Sequence, residues 1–515
     1  MADQTKREPL EVELKLLFPP EARSHVEAHP ALAAAATAPP RAERLVTTYF
    51  DTPDHRIAGN GFTLRVRRAG DKAIQTVKSD GPAPKAEDTG LARRRGEWEW
   101  PVAGDRPDLH LLSDTPLGGL LSNDTAGQLA PVLTTEVTRT KWQLRLEGSS
   151  GVEAAVDFGC LRTGGAEEAI HELELELKQG PVGPLYRLAL VLQADLPLRI
   201  GVESKAGRGY RLASGRLPEP IKTRDPVLNA DFAAEDAFRR ILGCALDALI
   251  GNQPAAAAGA IEGVHQMRVA VRRLRTALVL FGPHLEPHAV APFNDELQRL
   301  GRLLGEHRDW DVFCRETLPA ALGGTAGHWR PALMRAAQSE RESAHARLEQ
   351  EFAGPALTRL ALALAAWADD ESRVLGGEKL RAPLSDVAPA LLDGVARKVA
   401  KRGRHIGRLV GTDLHDLRKS LKKLRYSVDD LAGLYPPDRV SPYLKRCKHL
   451  QALLGEINDA AVAVTLAEQL GRTHPLEIVP GVAAVAIWSE GRRAEAADPI
   501  PDAWDEFRDA APFWR

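Results

Sequence analysis

Apolar and polar residues alternate with a period of two along the first part of the chain. Val12, Leu14 and Leu16 alternate with Glu11, Glu13 and Lys15, and the pattern recurs in TLRVRR (63–68), RGEWEW (95–100) and ELELELK (172–178), with Gly, Pro and Asp between. A period of two puts successive side chains on opposite faces of a strand, so the chain up to about Arg211 is predicted to be mostly β. From about Leu228 the pattern changes to long Ala/Leu/Arg-rich segments with helical spacing, such as EDAFRRILGCALDALI and HDLRKSLKKLRYSVDDLAGLY. These predict helix throughout. Between the two, GRLPEPIKTRDPVL carries three prolines, which lack an amide donor and disfavour a helical residue before them. A first domain at 1–215, a linker at 216–227 and a second domain at 228–515 follow.

The helical part repeats itself at a constant offset of 150: His265 maps to His415, Arg268 to Arg418, Arg272 to Lys422, Arg273 to Lys423 and Arg275 to Arg425, while LLGEHRD (303–309) maps to LLGEIND (453–459). Each copy, about 228–375 and 385–512, is long enough for about four helices. Two four-helix bundles of one design, joined near 370–385, are expected.

In the first part the charges of each alternating strand share one face. Taken singly, such a face turns to water, the commonest antiparallel arrangement. Four strands carry it, however, and a closed antiparallel barrel can turn such faces into a polar lumen if helices cover its apolar outside; segments 20–29 and 184–195 are the candidates for cover. A lumen with both acids and bases suits a polyanion held with a divalent cation, because unpaired buried charge of either sign is costly. Hard cations such as Mg²⁺ take oxygen ligands, and guanidinium groups match phosphate oxygens two at a time. The fold class expected is therefore α+β multidomain: a closed antiparallel eight-stranded barrel with covering helices, then an all-α pair of bundles.

Composition changes little in this picture. With 68 Lys+Arg against 70 Asp+Glu the net charge is -2, which fits neither a disordered tail nor a bulk nucleic-acid binder. The four cysteines form no CxxC pair, so no zinc ribbon or disulfide framework is expected. Neither an N-terminal apolar h-region nor a run of 18 uncharged apolar residues occurs. A cytoplasmic protein, neither secreted nor membrane-spanning, is the expectation.

The first part resembles the CYTH, or triphosphate tunnel metalloenzyme, superfamily. The resemblance rests on ExExK at Glu11, Glu13 and Lys15, YFDTP at 49–53, TLRVR at 63–67, TVK ending at Lys78, RGEWEW at 95–100, Arg139, VDFG around Asp157, HELELELKQG and ESKAGRGY with Lys205. It covers about residues 9–212, and Ile57 stands where leucine is more usual. The resemblance implies Glu11, Glu13, Glu174 and Glu176 as ligands of Mg²⁺ or Mn²⁺, with Asp157 assisting through water. It implies Lys15, Arg65, Arg67, Lys78, Arg139 and Lys205 as phosphate contacts, Arg95, Glu97 and Glu99 as completing the charge network, and Glu172 as positioning water or metal. His171 receives no role. Metal-assisted hydrolysis of inorganic triphosphate is the implied activity. Adenylyl cyclisation, thiamine triphosphate hydrolysis and a non-enzymatic polyphosphate-binding role are alternatives; Trp98, Trp100 and Trp142 could be an aromatic platform, but the parity of 98 and 100 with the apolar face favours packing.

His265, Arg268, Arg272 and Arg275 lie three, four and three residues apart, on one helix face, as do His415, Arg418, Lys422 and Arg425. A solvated face would account for one such stripe; its duplication favours a polyanion site. HxxRxxxRRLR with LLGxxRD resembles a CHAD (conserved histidine α-helical) domain, over about 228–512. That resemblance implies inorganic polyphosphate as ligand and an association with polyphosphate granules. The contact candidates are His265, Arg268, Arg272, Arg273, Arg275, His415, Arg418, Lys419, Lys422, Lys423, Arg425, Lys445, Arg446 and Lys448. Asn458 replaces Arg308 in the second copy, so the halves are not expected to contribute equally. A metal site at His265 and His415 is disfavoured by their basic neighbours, and specific nucleic-acid binding by the absence of interleaved aromatics.

Overall fold

The computed structural model describes residues 10–79, 90–121, 127–323, 327–369, 375–473 and 476–515. The chain divides into two compact units, residues 1–219 with 354–373, and residues 220–353 with 374–515.

In the first unit, β1 (Leu10–Leu17), β2 (Arg41–Asp51), β3 (Phe62–Ala69), β4 (Lys72–Ser79), β5 (Arg93–Val102), β6 (Ala130–Arg145), β7 (Gly151–Thr163) and β8 (Ala166–Gln179) form an antiparallel sheet in the order β5-β4-β3-β2-β6-β7-β8-β1. Pairing of β1 with β5 from Leu10↔Gly96 to Glu13↔Arg93 closes it into the expected eight-stranded barrel. A two-residue strand, β9 (Arg199–Ile200), pairs with the far end of β1. The parity read from the sequence holds. Leu14, Leu16, Leu64, Leu173 and Leu175 are buried on the outer face, and Trp98 and Trp100 pack there with Val66 and Val77.

Both cover segments are helical: a short 3-10 turn leads into Arg23–Glu27, and α1 (Gly183–Asp195) buries Leu185, Leu188 and Leu192. The Leu/Ala-rich helix Ala356–Ala368, placed in the second domain by sequence, packs instead against α1. Ten of its side chains, Leu357, Leu360 and Leu364 among them, are buried, which an apolar helix achieves only with neighbours on most sides. Lastly, α2 (Lys205–Ser214) begins with Ser204 capping the Gly207 N–H.

The second unit shows the repeat in its helix starts. α3 (Ala234–Gly251), α4 (Ile261–Phe281), α5 (Pro287–Val312) and α6 (Arg330–Ala353) are followed by α7 (Leu384–Gly403), α8 (Thr412–Leu431), α9 (Pro437–Thr473) and α10 (Val479–Ala497). Starts at 234, 261, 287 and 330 recur at 384, 412, 437 and 479, within a residue of the offset. The copies are not independent bundles, because Trp310, Phe313, Leu333 and Ala337 of the first share one core with Leu466, Leu470 and Val485 of the second. The expected joint near 370–385 is described only from 375. The proline-rich linker is docked: Asn252 exchanges hydrogen bonds with the Ile221 backbone, and Arg224 pairs with Asp247 at 2.9 Å. By length and composition α9 could cross a membrane; its Cys447, Leu450, Leu454 and Leu470 are buried in the helical core.

Candidate functional site

Inside the barrel is a cavity of about 260 Å³. Thirteen of the fifteen lumen residues expected from sequence line it: Glu11, Glu13, Lys15, Arg65, Arg67, Lys78, Arg95, Glu97, Glu99, Arg139, Glu174, Glu176 and Lys205. Asp157 and Glu172 are fully buried behind that lining. Tyr49, Thr63, Lys141, Glu153 and Lys178 line it too and had been assigned no role. Lys141 shares strand parity with Arg139, and Glu153 with Asp157, so a signal was present.

Strand register builds two ionic groups. Asp157 lies opposite Arg139 and Glu172 in the sheet, and Lys15 opposite Glu174. Arg139 therefore reaches Asp157 through Nε at 2.6 Å and Nη2 at 2.5 Å, and Glu174 Oε2 at 2.6 Å. From α2, Lys205 enters the same group, 2.7 Å from Glu174 and 2.8 Å from Asp157, and also pairs with Glu172. Lys15 Nζ stands 3.4 Å from Glu172, and Arg208 supports Glu172 from behind at 3.5 Å. Burial pushes the Glu174 carboxyl up, but Lys205 and Arg139 outweigh it and hold it well below the usual range. Asp157 is likewise lowered, since Arg139 and Lys205 overcome its burial.

The second group spans β1, β3, β4, β5 and β8. Lys78 Nζ donates to Glu11 at 2.5 Å and sits 3.0 Å from Glu97, and Arg65 stands 3.6 Å from Glu97. Glu11, Glu97 and Glu176 each offer an oxygen within 4.8 Å of the others, and so, separately, do Asp157, Glu172 and Glu174. The four carboxylates expected as one ligand set thus divide between two clusters, and Glu13 belongs to neither. Its carboxyl is raised by burial and then by Glu174 and Glu11. Glu176 is raised by burial, with Glu11 and Glu97 contributing. Arg67 has no carboxylate partner among the described residues; burial, then Arg65 and Arg139, lower its guanidinium to about 10.

In the helical unit the two basic stripes face one another across packed α4 and α8. Arg268 pairs with Asp309 at 3.4 Å and Arg418 with Asp459 at 3.5 Å, the same bond in each copy. Arg272 donates to the Tyr426 hydroxyl at 2.8 Å. Lys422 has no acceptor among the described residues, and burial, then Arg272 and Arg418, push its ammonium down to about 7. His265 and His415 are exposed, His415 hydrogen-bonded to Asn458. Arg275, Lys419 and Lys423 lie near Lys398 and Arg402, and their mutual repulsion adds to burial in lowering Lys423. Arg425 is taken up by Asp429 and Gln451. Lys445, Arg446 and Lys448 are exposed on α9.

Arg273 is a correction. It is 4% exposed and bonds Asp225 at 2.6 Å, Asp430 at 2.9 Å and the Arg224 carbonyl at 3.1 Å. Successive helical residues point about 100° apart, so Arg273 turns inward where Arg272 faces the groove.

A barrel closed around ionised side chains and joined to a duplicated helical unit is a tunnel-barrel protein with a helical appendage. Residues 9–210 match the CYTH domain model and residues 240–468 the CHAD domain model. An inorganic triphosphatase of Haemophilus influenzae is 31% identical over 172 residues, 33% of this chain and 46% of that protein, so the match spans about half of that relative's length. An uncharacterized protein of Mycobacterium tuberculosis is 29% identical over 459 residues, 82% of this chain and 81% of its own. The crystal structure of the CHAD domain from the plant Ricinus communis superposes with a TM-score of 0.50 at 26% identity, covering 57% of this chain and 98% of that one. The chain belongs to the proteins that carry a CYTH domain followed by a CHAD domain.

Proposed function

We propose that the barrel hydrolyses inorganic triphosphate, releasing diphosphate and phosphate, with Mg²⁺ or Mn²⁺, and that the facing basic stripes of the helical unit bind inorganic polyphosphate. The observation that carries the first part is the lumen lining, which is mostly acidic and basic side chains, with Tyr49 its one aromatic among the described residues. A nucleoside or thiamine group needs an apolar or stacking surface, and Trp98 and Trp100 are on the outer face. A short linear polyanion needs only cations along its path.

The residues fit a divalent cation. Glu11, Glu97 and Glu176 bring three carboxylates together, and burial, with Glu11 and Glu97 adding to it, raises the Glu176 carboxyl. A hard cation held there would neutralise phosphate charge and help bring water into line. The chain's own groups do the rest. Arg65, Arg139, Lys15, Lys78 and Lys205 are held by acids at fixed positions around the lumen, and this pre-organisation positions phosphate oxygens at little cost in reorganisation. Arg67, without a carboxylate of its own, is available for a phosphate. Glu13, a lumen carboxylate outside both acidic clusters whose carboxyl burial raises, is the group assigned to accept the proton of the attacking water.

Phosphate release from tripolyphosphate, ATP and long-chain polyphosphate, with Mg²⁺, Mn²⁺ or a chelator, tests this. Metal-dependent release from tripolyphosphate well above ATP, lost in Glu11→Ala, is expected. Equal release from ATP, or release unaffected by chelator, would overturn it. For the helical unit, Arg272→Ala with Lys422→Ala should abolish polyphosphate binding and leave hydrolysis intact.

A further inference from the structure

The duplicated helical unit carries one surface twice, covered in the first copy and open in the second. In the first copy the linker residues Ile221, Arg224 and Asp225 lie across the end of α3 and the side of α4. The Ile221 N–H donates to the Asn252 side-chain oxygen and the Asn252 amide donates back to the Ile221 carbonyl, both at 2.9 Å. Arg224 pairs with Asp247 at 2.9 Å, and Asp225 with Arg273 at 2.6 Å. Ile221 lies so close that a Cβ at Gly251 would come 2.4 Å from its Cδ1. Asp247, Asn252 and Arg273 are all buried.

At the offset of 150, Asp247, Gly251, Asn252 and Arg273 become Arg397, Lys401, Arg402 and Lys423, all exposed. The linker positions diverge as well. Leu375 and Gly376, which match Asp225 and Pro226, pair instead with the backbone of Glu286 and Leu285 beside the start of α5. The chemistry of the surface has changed with its cover. Asn252 both accepts and donates, as a peptide backbone requires, whereas Arg and Lys side chains only donate. Four cations without an acceptor suit an occupant that is negative and all acceptor. A peptide brings backbone N–H groups that these side chains cannot accept; a chain of phosphates brings none.

The charge is not cancelled from within. Lys398 extends the patch, since 397 with 401 and 398 with 402 are neighbours along one helix face. Lys423 feels the repulsion of Arg275, Lys398, Arg402 and Lys419. Asp416 is shared between Arg402 at 3.9 Å and Lys419 at 3.6 Å, and Asp393, near Arg397, is taken up by Arg515 and the Trp514 N–H, both at 2.9 Å. Asp430, which pairs with Arg273, is matched by Leu280, so the duplication supplies Lys423 with no equivalent acid. Arg275 and Lys423 make the patch continuous with the groove, because Arg275 ends the stripe of Arg268 and Arg272 and Lys423 adjoins Lys422.

We propose that Arg397, Lys398, Lys401 and Arg402 form an outer track that holds the overhang of a long inorganic polyphosphate chain anchored in the groove between α4 and α8. This rests on the reading of that groove as a polyphosphate site and adds selectivity for chain length. A chain confined to the groove gains nothing from the track, while one that runs on past Lys423 meets a second set of cations at high effective concentration.

Size-fractionated short and long polyphosphate chains, competed against a labelled long chain on the full-length protein with a chelator present, test this. Arg397→Gln with Lys401→Gln should keep the wild-type thermal transition, lower long-chain affinity about tenfold and leave short-chain affinity unchanged. Arg472→Gln with Arg493→Gln, which removes the same charge from exposed positions elsewhere, should alter neither. Equal loss for short and long chains, no loss for either, or the same loss in the control overturns the track and leaves the groove standing. A wild type that binds no polyphosphate overturns both. Preferential retention of single-stranded DNA over polyphosphate assigns the surface to nucleic acid and overturns the proposal too.

Discussion

Asp157→Asn tests the account of the barrel interior. The side chain is fully buried, accepts from Arg139 at 2.6 and 2.5 Å, and lies 2.8 Å from Lys205. Asparagine keeps the shape, removes the charge and turns an acceptor into a donor that must face a cation. Removing one partner of a buried ion pair costs about 3–5 kcal/mol. Here Glu174 also holds Arg139 and Lys205, at 2.6 and 2.7 Å, so neither cation is orphaned and the lower end, about 3 kcal/mol, is expected at pH 7. The pH dependence has a definite sign. Asp157 is lowered in the folded chain, so its stabilisation is present above the unfolded value of about 4 and is lost as pH falls through the folded one. The gap between wild type and variant should therefore shrink below about pH 4. Native-state hydrogen exchange on peptides from β6, β7 and β8 at several urea concentrations, at pH 7 and pH 3, measures it in the barrel alone. A gap under about 1 kcal/mol at pH 7, where a buried pair should cost about 3–5, or an undiminished gap at pH 3, would refute the reasoning.

Three further outcomes are expected. Arg273→Ala should leave Asp430 buried without its cation and destabilise the helical unit by about 3–5 kcal/mol in a denaturant titration, while the folded variant keeps its polyphosphate affinity; Arg272→Ala should do the reverse. A bound polyanion favours the charged form of Lys422, lowered to about 7 in the free chain, so binding takes up a proton and affinity falls by up to about tenfold per pH unit above pH 7. Calorimetry in buffers of different ionisation enthalpy reads that proton, and Lys422→Arg should abolish it. A Cβ at Gly209 would come 2.3 Å from Leu133 Cδ2, so in Gly209→Ala either the buried Leu133 side chain or α2 must give way; movement of α2 carries Lys205 with it and should lower kcat/KM for tripolyphosphate by up to about a hundredfold in a phosphate-release assay without unfolding the barrel.

Which lumen residues share a face was legible in the sequence, because strand parity is local: 11, 13 and 15, or 172, 174 and 176, cannot point otherwise in a strand. Which of them meet was not. The cluster of Glu11, Glu97 and Glu176 exists because β1 pairs with β5 on one side and β8 on the other, and closure of a barrel is a long-range event that no short window records. The same limit explains Ala356–Ala368, whose apolar sequence foretold burial but not the α1 surface that buries it. Arg273 is different, for the turn per residue that separates it from Arg272 was available beforehand.

The two copies of the helical unit separate what both halves need from what one half does alone. Arg268 with Asp309 recurs as Arg418 with Asp459, and Arg272 faces the position of Lys422, so the groove is built from matched charges whose repulsion is only partly relieved by the acids present. A pair of like-charged stripes is costly to keep twice, and an anion lying between them accounts for both copies together. Arg308 has become Asn458, which takes the His415 ring as its partner, so an anion bound in the groove would meet one more cation on the first side than on the second. The unmatched residues, His307 and Asp311 opposite Ile457 and Ala461, break the symmetry in a buried place.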